Sequence, residues 1–173
     1  MSFENFDWAS SEAASVIAQM PEDCGAQCRQ IARAFDWSIP SEAAMGCLMA
    51  RRQIDLDTAL AVFFNGDPAR FNYVAKKSVG EEHLPALRLL DNICRRINAG
   101  FYLYDPEAPV TQGARLEKWL ANQAQDESEK ARGRFIIERA VLEPLLSGGL
   151  RFVSTVEPLP QTLMRRLFGQ WMR

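Results

Sequence analysis

Cys24 and Cys28 stand four residues apart, a spacing that puts two thiols on one face of a helix, one turn apart, as half of a zinc site requires. No second pair follows: Cys47 and Cys94 are isolated, and His83 is the single histidine of the chain. Glu81, Glu82 and His83 form a set able to do acid–base work, but they fall at a helix start, where acidic residues complement the dipole anyway. Asp91 is the more informative carboxylate. It lies beside an apolar stripe, with Arg88 three residues before it, Arg95 four residues after it, and Asn98 two turns on along the same face. This arrangement is read first as a half-buried ion pair fixing helix register. Its functional alternative is the polar floor of a groove holding a partner or ligand, with Arg88, Asp91, Arg95 and Asn98 as the groove residues. Four basic doublets, Arg51-Arg52, Lys76-Lys77, Arg95-Arg96 and Arg165-Arg166, could line a surface for an acidic partner. Three of them lie in or near the last turn of predicted helices, where cations offset the dipole.

The elements that must position these residues are helices. Ser10 or Ser11 opens one through about Gln19, and Pro21 ends it. A second covers 24–35, a third begins at Pro40 and runs to about Arg52, and a fourth is capped by Asp55 or Asp57 and closed by Asn65-Gly66. Asp67-Pro68 starts a short helix carrying Phe71 and Val74. The stretch 82–99 has the cleanest apolar stripe, Leu87, Leu90, Cys94 and Ile97, ended by Gly100. The aromatic stretch 101–104 is extended. Residues 114–146 are rich in helix formers, and one helix of that length would be about 50 Å long, too long for a compact body. A break is therefore expected near Gln125, with Asp126 and Glu129 restarting a second helix that carries Phe135, Ile136, Leu142 and Leu146. Residues 150–156 suit a short strand able to pair with 101–104. A last helix over 160–172 gathers Leu163, Met164, Leu167, Phe168, Trp171 and Met172 on one face, which is expected to dock on the body.

The first half repeats itself. Phe35-Asp36-Trp37 restates Phe6-Asp7-Trp8 at an offset of 29, and Ser41-Glu42-Ala43-Ala44 restates Ser11-Glu12-Ala13-Ala14 at an offset of 30. At an offset of 32, Asp23 aligns with Asp55, Cys24 with Leu56, Cys28 with Leu60 and Ile31 with Phe63. Positions that hold leucine in one copy are core positions, so the two cysteines read as buried hydrophobes and no metal is expected. Such spacing signals stacked helical hairpins of the HEAT/TPR-like kind.

Composition bounds the rest. The 173 residues are 47% hydrophobic and 24% charged with a net charge of −2, which fits a globular chain with no general attraction to nucleic acid or an anionic membrane. Acidic residues cluster before Arg29, and Arg151, Arg165, Arg166 and Arg173 dominate the other end. The acidic opening is unlike a signal peptide, so a cytoplasmic location is expected, with the cysteines as free thiols.

Phe35-Asp36-Trp37, a following proline, Asp55-x-Asp57-Thr58-Ala59-Leu60, Phe63-Phe64, Leu90-Asp91 and Ile97-Asn98-x-Gly100-Phe101-Tyr102 resemble the core of an uncharacterised bacterial family of unknown function. The similarity spans 35–104 and implies no activity, cofactor or catalytic residue.

The expectation is thus an all-α protein forming a single domain over 1–173. Residues 6–65 are the hairpin pair, 66–173 a packed helical extension, with room for one minor two-stranded ladder. The function expected is a protein-interaction or regulatory module with a protein partner, without cofactor, nucleic acid or membrane. The alternative is a small-molecule enzyme using a carboxylate-based site near Asp91.

Overall fold

Asp7 and Asp36 build the same turn twice. The N–H of Ala9 donates to Asp7 Oδ1 at 3.0 Å and that of Ser38 to Asp36 Oδ1 at 2.8 Å, while Ser10 and Ile39 close the two turns onto the Asp7 and Asp36 carbonyls. The structure, a computed structural model, describes residues 7–39, 41–107 and 110–147. The expected strand at 150–156 and the expected helix over 160–172, with its docking, lie outside the described residues, as do Phe6 and Pro40.

From these turns the chain enters α1 (Ala13–Gln19), α2 (Gly25–Arg33), α3 (Glu42–Met49) and α4 (Leu56–Asn65). Asp55 is the cap of α4, its carboxylate accepting the Thr58 N–H at 2.6 Å. α1 lies against α3 and α2 against α4, with α2 also touching α3. Cys24, Cys28 and Ile31 are buried, and so are their counterparts Leu56, Leu60 and Phe63. In the first helix of each pair the phase differs from the letters. Buried Ala13 and Ile17 correspond to buried Ala44 and Leu48, an offset of 31, so the Ser-Glu-Ala-Ala copies sit one residue out of register.

Gly66 follows α4 because Trp37 lies on it: a Cβ there would fall 2.6 Å from the indole ring. α5 (Pro68–Phe71) is a single turn that ends before Val74, which is exposed. Two short 3-10 turns then lead into α6 (Leu84–Asn98), whose Leu87, Leu90, Cys94 and Ile97 are buried as the stripe predicts. α6 packs on both α3 and α4. The stretch 101–104 is extended, and its partner is the start of α4. Leu56 donates to the Leu103 carbonyl at 2.9 Å in a single parallel bridge, while the Tyr102 hydroxyl donates to the Met49 carbonyl at 3.0 Å. Among the described residues there is no strand or sheet beyond that bridge, and the fold is all-α.

α7 (Gly113–Ser128) is held at both ends of α4. Asp57 accepts the N–H groups of Thr111 (2.8 Å) and Gln112 (3.1 Å), the Thr111 hydroxyl (2.7 Å) and Arg33 Nη2 (2.8 Å), and thereby fixes where α7 begins. At the far end Arg115 reaches the Phe64 carbonyl and Asn65 Oδ1. The break expected near Gln125 falls elsewhere. α7 continues through Asp126 to Ser128, residues 131–138 leave the helix in a strap that bends at Arg134 and alternates in burial beyond it, and α8 (Arg139–Ser147) follows. Phe135 and Ile136 therefore belong to this extended strap and not to a helix. Asp126 starts nothing; its carboxylate accepts the Tyr73 hydroxyl at 2.7 Å. One buried apolar cluster runs from Trp8 to Leu145.

Candidate functional site

The strap crosses the surface between α6 and α7, and an extended segment alone in a helical protein must find partners for its backbone. Side chains supply them on both edges. On the α7 edge, Asn72 Oδ1 accepts the Phe135 N–H (3.0 Å), Trp119 Nε1 donates to the Phe135 carbonyl (3.3 Å), and Gln123 both accepts the Ile137 N–H (2.9 Å) and donates to its carbonyl (3.1 Å). On the α6 edge, Asn98 donates to the Ile136 carbonyl at 2.7 Å and accepts the Glu138 N–H at 3.0 Å. Gln123 and Asn98 thus each present one amide to the strap as a neighbouring β-strand would. The Asn72 carbonyl adds a bond from the Arg134 N–H at 2.7 Å.

Side chains alternate as the extended backbone requires. Phe135 and Ile137 point into the core, each 1% exposed, and Phe135 meets Phe63 edge-on at 5.6 Å between ring centroids. Arg134 turns to Asp91, its Nε and Nη2 donating to the two carboxylate oxygens at 2.9 and 3.1 Å. This fork-to-fork pair is half-buried, which gives it geometric specificity more than net stability. Gly133 admits the strap: a Cβ there would land on the side-chain amide of Asn72. Beside the strap, along Leu120, Gln123, Ala124 and Glu127 of α7, a cleft of about 500 Å³ opens to solvent, rimmed by Arg132 and Glu138.

Of the four groove residues expected from the sequence, Asp91 and Asn98 meet at the strap. Arg88 does not: it forks onto Glu42 of α3, with contacts of 2.7 and 2.8 Å, and ties α6 to the opposite side. Arg95 is exposed and does not pair with Asp91. The ion pair expected within α6 is replaced by one from a distant segment: Arg134 approaches with two nitrogens aligned on the carboxylate, while Arg88 is engaged by Glu42. Asn72, Trp119, Gln123 and Arg134 were not anticipated. The signal that points to them is Gly133 followed by Phe135-Ile136-Ile137, a glycine and then strand formers within an otherwise helix-forming stretch.

The other chemical candidates are each accounted for. Cys24 and Cys28 are buried with their sulfurs 3.4 Å apart, and burial pushes the Cys28 thiol up to about 11. Burial, with the Asp91 charge nearby, pushes the Cys94 thiol up to about 12, so neither behaves as a thiolate nucleophile. Among the described residues, no three His, Cys, Asp or Glu side chains gather as a metal site. Arg70 Nη2 lies 2.7 Å from His83 Nε2. Arg51 caps α1 through the carbonyls of Ile17 and Met20, and Arg96 lies over the Phe101 ring, so these doublets do not converge. Among the described residues no helix is long and apolar enough to cross a membrane.

No family model matches the chain, and neither a curated protein nor a solved structure matches it. None of these comparisons supports the family resemblance drawn from the motifs; of the residues quoted for it, those described serve here as turn, cap and core residues, with Asp91 and Asn98 bonding the strap.

Proposed function

We propose that this protein is a helical interaction module, regulatory in kind, whose α6–α7 groove recognises an extended peptide by its main chain. The observation that carries this reading is the grip on the strap. Asn72, Asn98, Trp119 and Gln123 contact backbone atoms, which any sequence possesses, while two buried positions take the side chains of alternate residues. Main-chain bonds for affinity and alternating pockets for specificity are the logic of strand-type peptide recognition. The matching partner is an extended segment with an arginine followed by an aromatic residue and, two positions on, a β-branched one, as in Arg134-Phe135-x-Ile137. The first half of the module is read as two stacked hairpins, supported by the recurring Asp7 and Asp36 turns and by the pairing of α1 with α3 and α2 with α4. The pairing of both Asp91 oxygens with Arg134 favours this reading over the alternative of an enzyme with a carboxylate-based site near Asp91.

The test uses the full chain carrying Arg134→Asp, which loosens its own strap, and a labelled peptide copying residues 131–139. Fluorescence anisotropy should show binding in the micromolar range, weaker to the unmodified chain and absent for a scrambled peptide. No binding at concentrations on the order of 1 mM would remove the reading.

A further inference from the structure

Two helices of this chain end with the same stop, and only one has the residue that stop favours. At the end of α6, Gly100 takes a left-handed conformation (φ 65°), its N–H bonding the Ile97 carbonyl while that of Phe101 bonds Arg96. At the end of α7 the pattern recurs: Lys130 N–H bonds Glu127 at 3.2 Å and Ala131 N–H bonds Asp126 at 2.8 Å. Here the left-handed residue is Lys130, with φ 57°. A side chain in that conformation is disfavoured by about fivefold or more. Continuing straight is not disfavoured, because Glu129, Lys130, Ala131 and Arg132 all form helix well and Gly133 offers the next place to turn.

The division of labour across this hinge is complete for the strap contacts described. The gripping groups, Asn72, Asp91, Asn98, Trp119 and Gln123, precede it. The gripped residues, with Leu142 and Leu145 of α8 that bury alongside them, follow it. Two chains can therefore trade these segments and keep the strap contacts described, changing only the hinge.

We infer that the groove's partner is a second copy of this chain: α7 runs on through residues 129–132, and the strap and α8 of each copy seat in the groove of the other. This rests on the main-chain grip proposed above and adds the identity of the partner. Exchange leaves the burial of Phe135, Ile137, Leu142 and Leu145 intact, opposed by association entropy alone once the hinge relaxes.

The Asp91–Arg134 pair supplies the test, since it joins groove to strap. Asp91→Arg and Arg134→Asp each place like charges together within one chain. If the two variants are unfolded, mixed and refolded in reductant, an exchanged heterodimer restores both ion pairs. Light scattering should give twice the monomer mass for the mixture and not for either variant alone, while the double variant Asp91→Arg/Arg134→Asp refolds as a monomer at low concentration. A mixture that yields no heterodimer while the double variant folds would overturn the inference. The hinge gives a second measurement independent of those charges. Unmodified chain refolded at high concentration should contain a dimer, and Lys130→Gly, which relaxes the closed hinge, should lower the dimer's equilibrium constant by about fivefold per chain. A chain monomeric at every concentration, or a dimer indifferent to Lys130→Gly, overturns it too. The two proposals fail separately. Peptide binding without heterodimer leaves the peptide groove and removes exchange, whereas heterodimer without peptide binding confines the groove to this chain's own strap.

Discussion

Helices α1 to α4, which meet α6 through α3 and α4, and the strap, which also meets α6, are held by opposite means. In α1 to α4 the contacts that bury surface are between apolar side chains, such as Ile17, Cys28, Leu48 and Leu60, and polar groups mostly work at helix ends, as Arg51 does for α1. Over residues 131–138 two side chains, Phe135 and Ile137, are fully buried, while seven hydrogen bonds or more connect backbone atoms to groups on α6, α7 and Asn72. Burial scales with area and tolerates small shifts, whereas a hydrogen bond fails steeply with angle and distance. The first region should therefore respond to volume and the strap to geometry.

The largest effect is expected where volume is lost. Trp8 is 6% exposed and meets Phe35 edge-on at 4.8 Å; Trp37 also meets Phe35 edge-on, at 5.3 Å, and is only half-buried. Trp8→Ala should cost about 3–5 kcal/mol and Trp37→Ala less. Chemical denaturation measures both, and an unchanged midpoint for Trp8→Ala would mean that the first turn is no part of the core. A smaller effect, in the strap, comes from adding a single carbon. Gly133→Ala forces its methyl onto the Asn72 amide and should destabilise by about 1–3 kcal/mol. Hydrogen exchange at Phe135 should accelerate while exchange in α1 to α4 keeps its wild-type spread. Equal acceleration everywhere would show that the strap has no independent geometry to lose.

Gln123→Ala leaves both polar groups of Ile137 without their amide partner, and about 1–2 kcal/mol is expected. Gln123→Glu should recover less than half of that, since a carboxylate accepts the Ile137 N–H but faces its carbonyl with a lone pair. If Glu restores full stability, the bond to the carbonyl contributes nothing. The smallest effect is one of pH. Cys94, whose sulfur lies 3.4 Å from the Ile136 carbonyl, has its thiol raised from the ordinary 9.0 to about 12 by burial. Below pH 9 the thiol is protonated in both the folded and the unfolded chain, so its contribution is fully present. Above pH 9 the unfolded chain ionises first, and stability falls until the folded thiol itself titrates. Between pH 8 and pH 10 the unmodified chain should lose about 1 kcal/mol more than Cys94→Ala. Parallel pH profiles for the two would show that the strap does not shield Cys94.

Much of α1 to α4 and of α6 could be read from the residues because apolar packing is periodic. The stripe of α6, the Asp55 cap and the Gly100 stop all follow from local rules, and the alignment of Cys28 with Leu60 found two buried positions. The strap could not be read that way. Its partners stand 40 positions away at Asn98 and 63 at Asn72, and a side chain that binds backbone leaves no period in its own helix. Helix propensity continues through residues 129–132, so local preference carried the expected second helix over Phe135 and Ile136, where tertiary contacts prevail. Asp91 and Asn98 were recognisable as polar residues beside an apolar stripe. That their partner is a strap, and not Arg88 or Arg95, was not.

The contacts of Tyr102 and Leu103 also impose an order in time. They finish the junction between α3 and α4 by bonding Met49 and Leu56, yet they come from beyond α6, with 53 positions separating Tyr102 from Met49. The chain between them must close as a loop before either bond can form, and closing a loop loses entropy before any contact repays it. The α3–α4 junction, although short and local along the chain, is therefore completed late in folding. Until α6 has docked, the end of α3 and the start of α4 are free to fray.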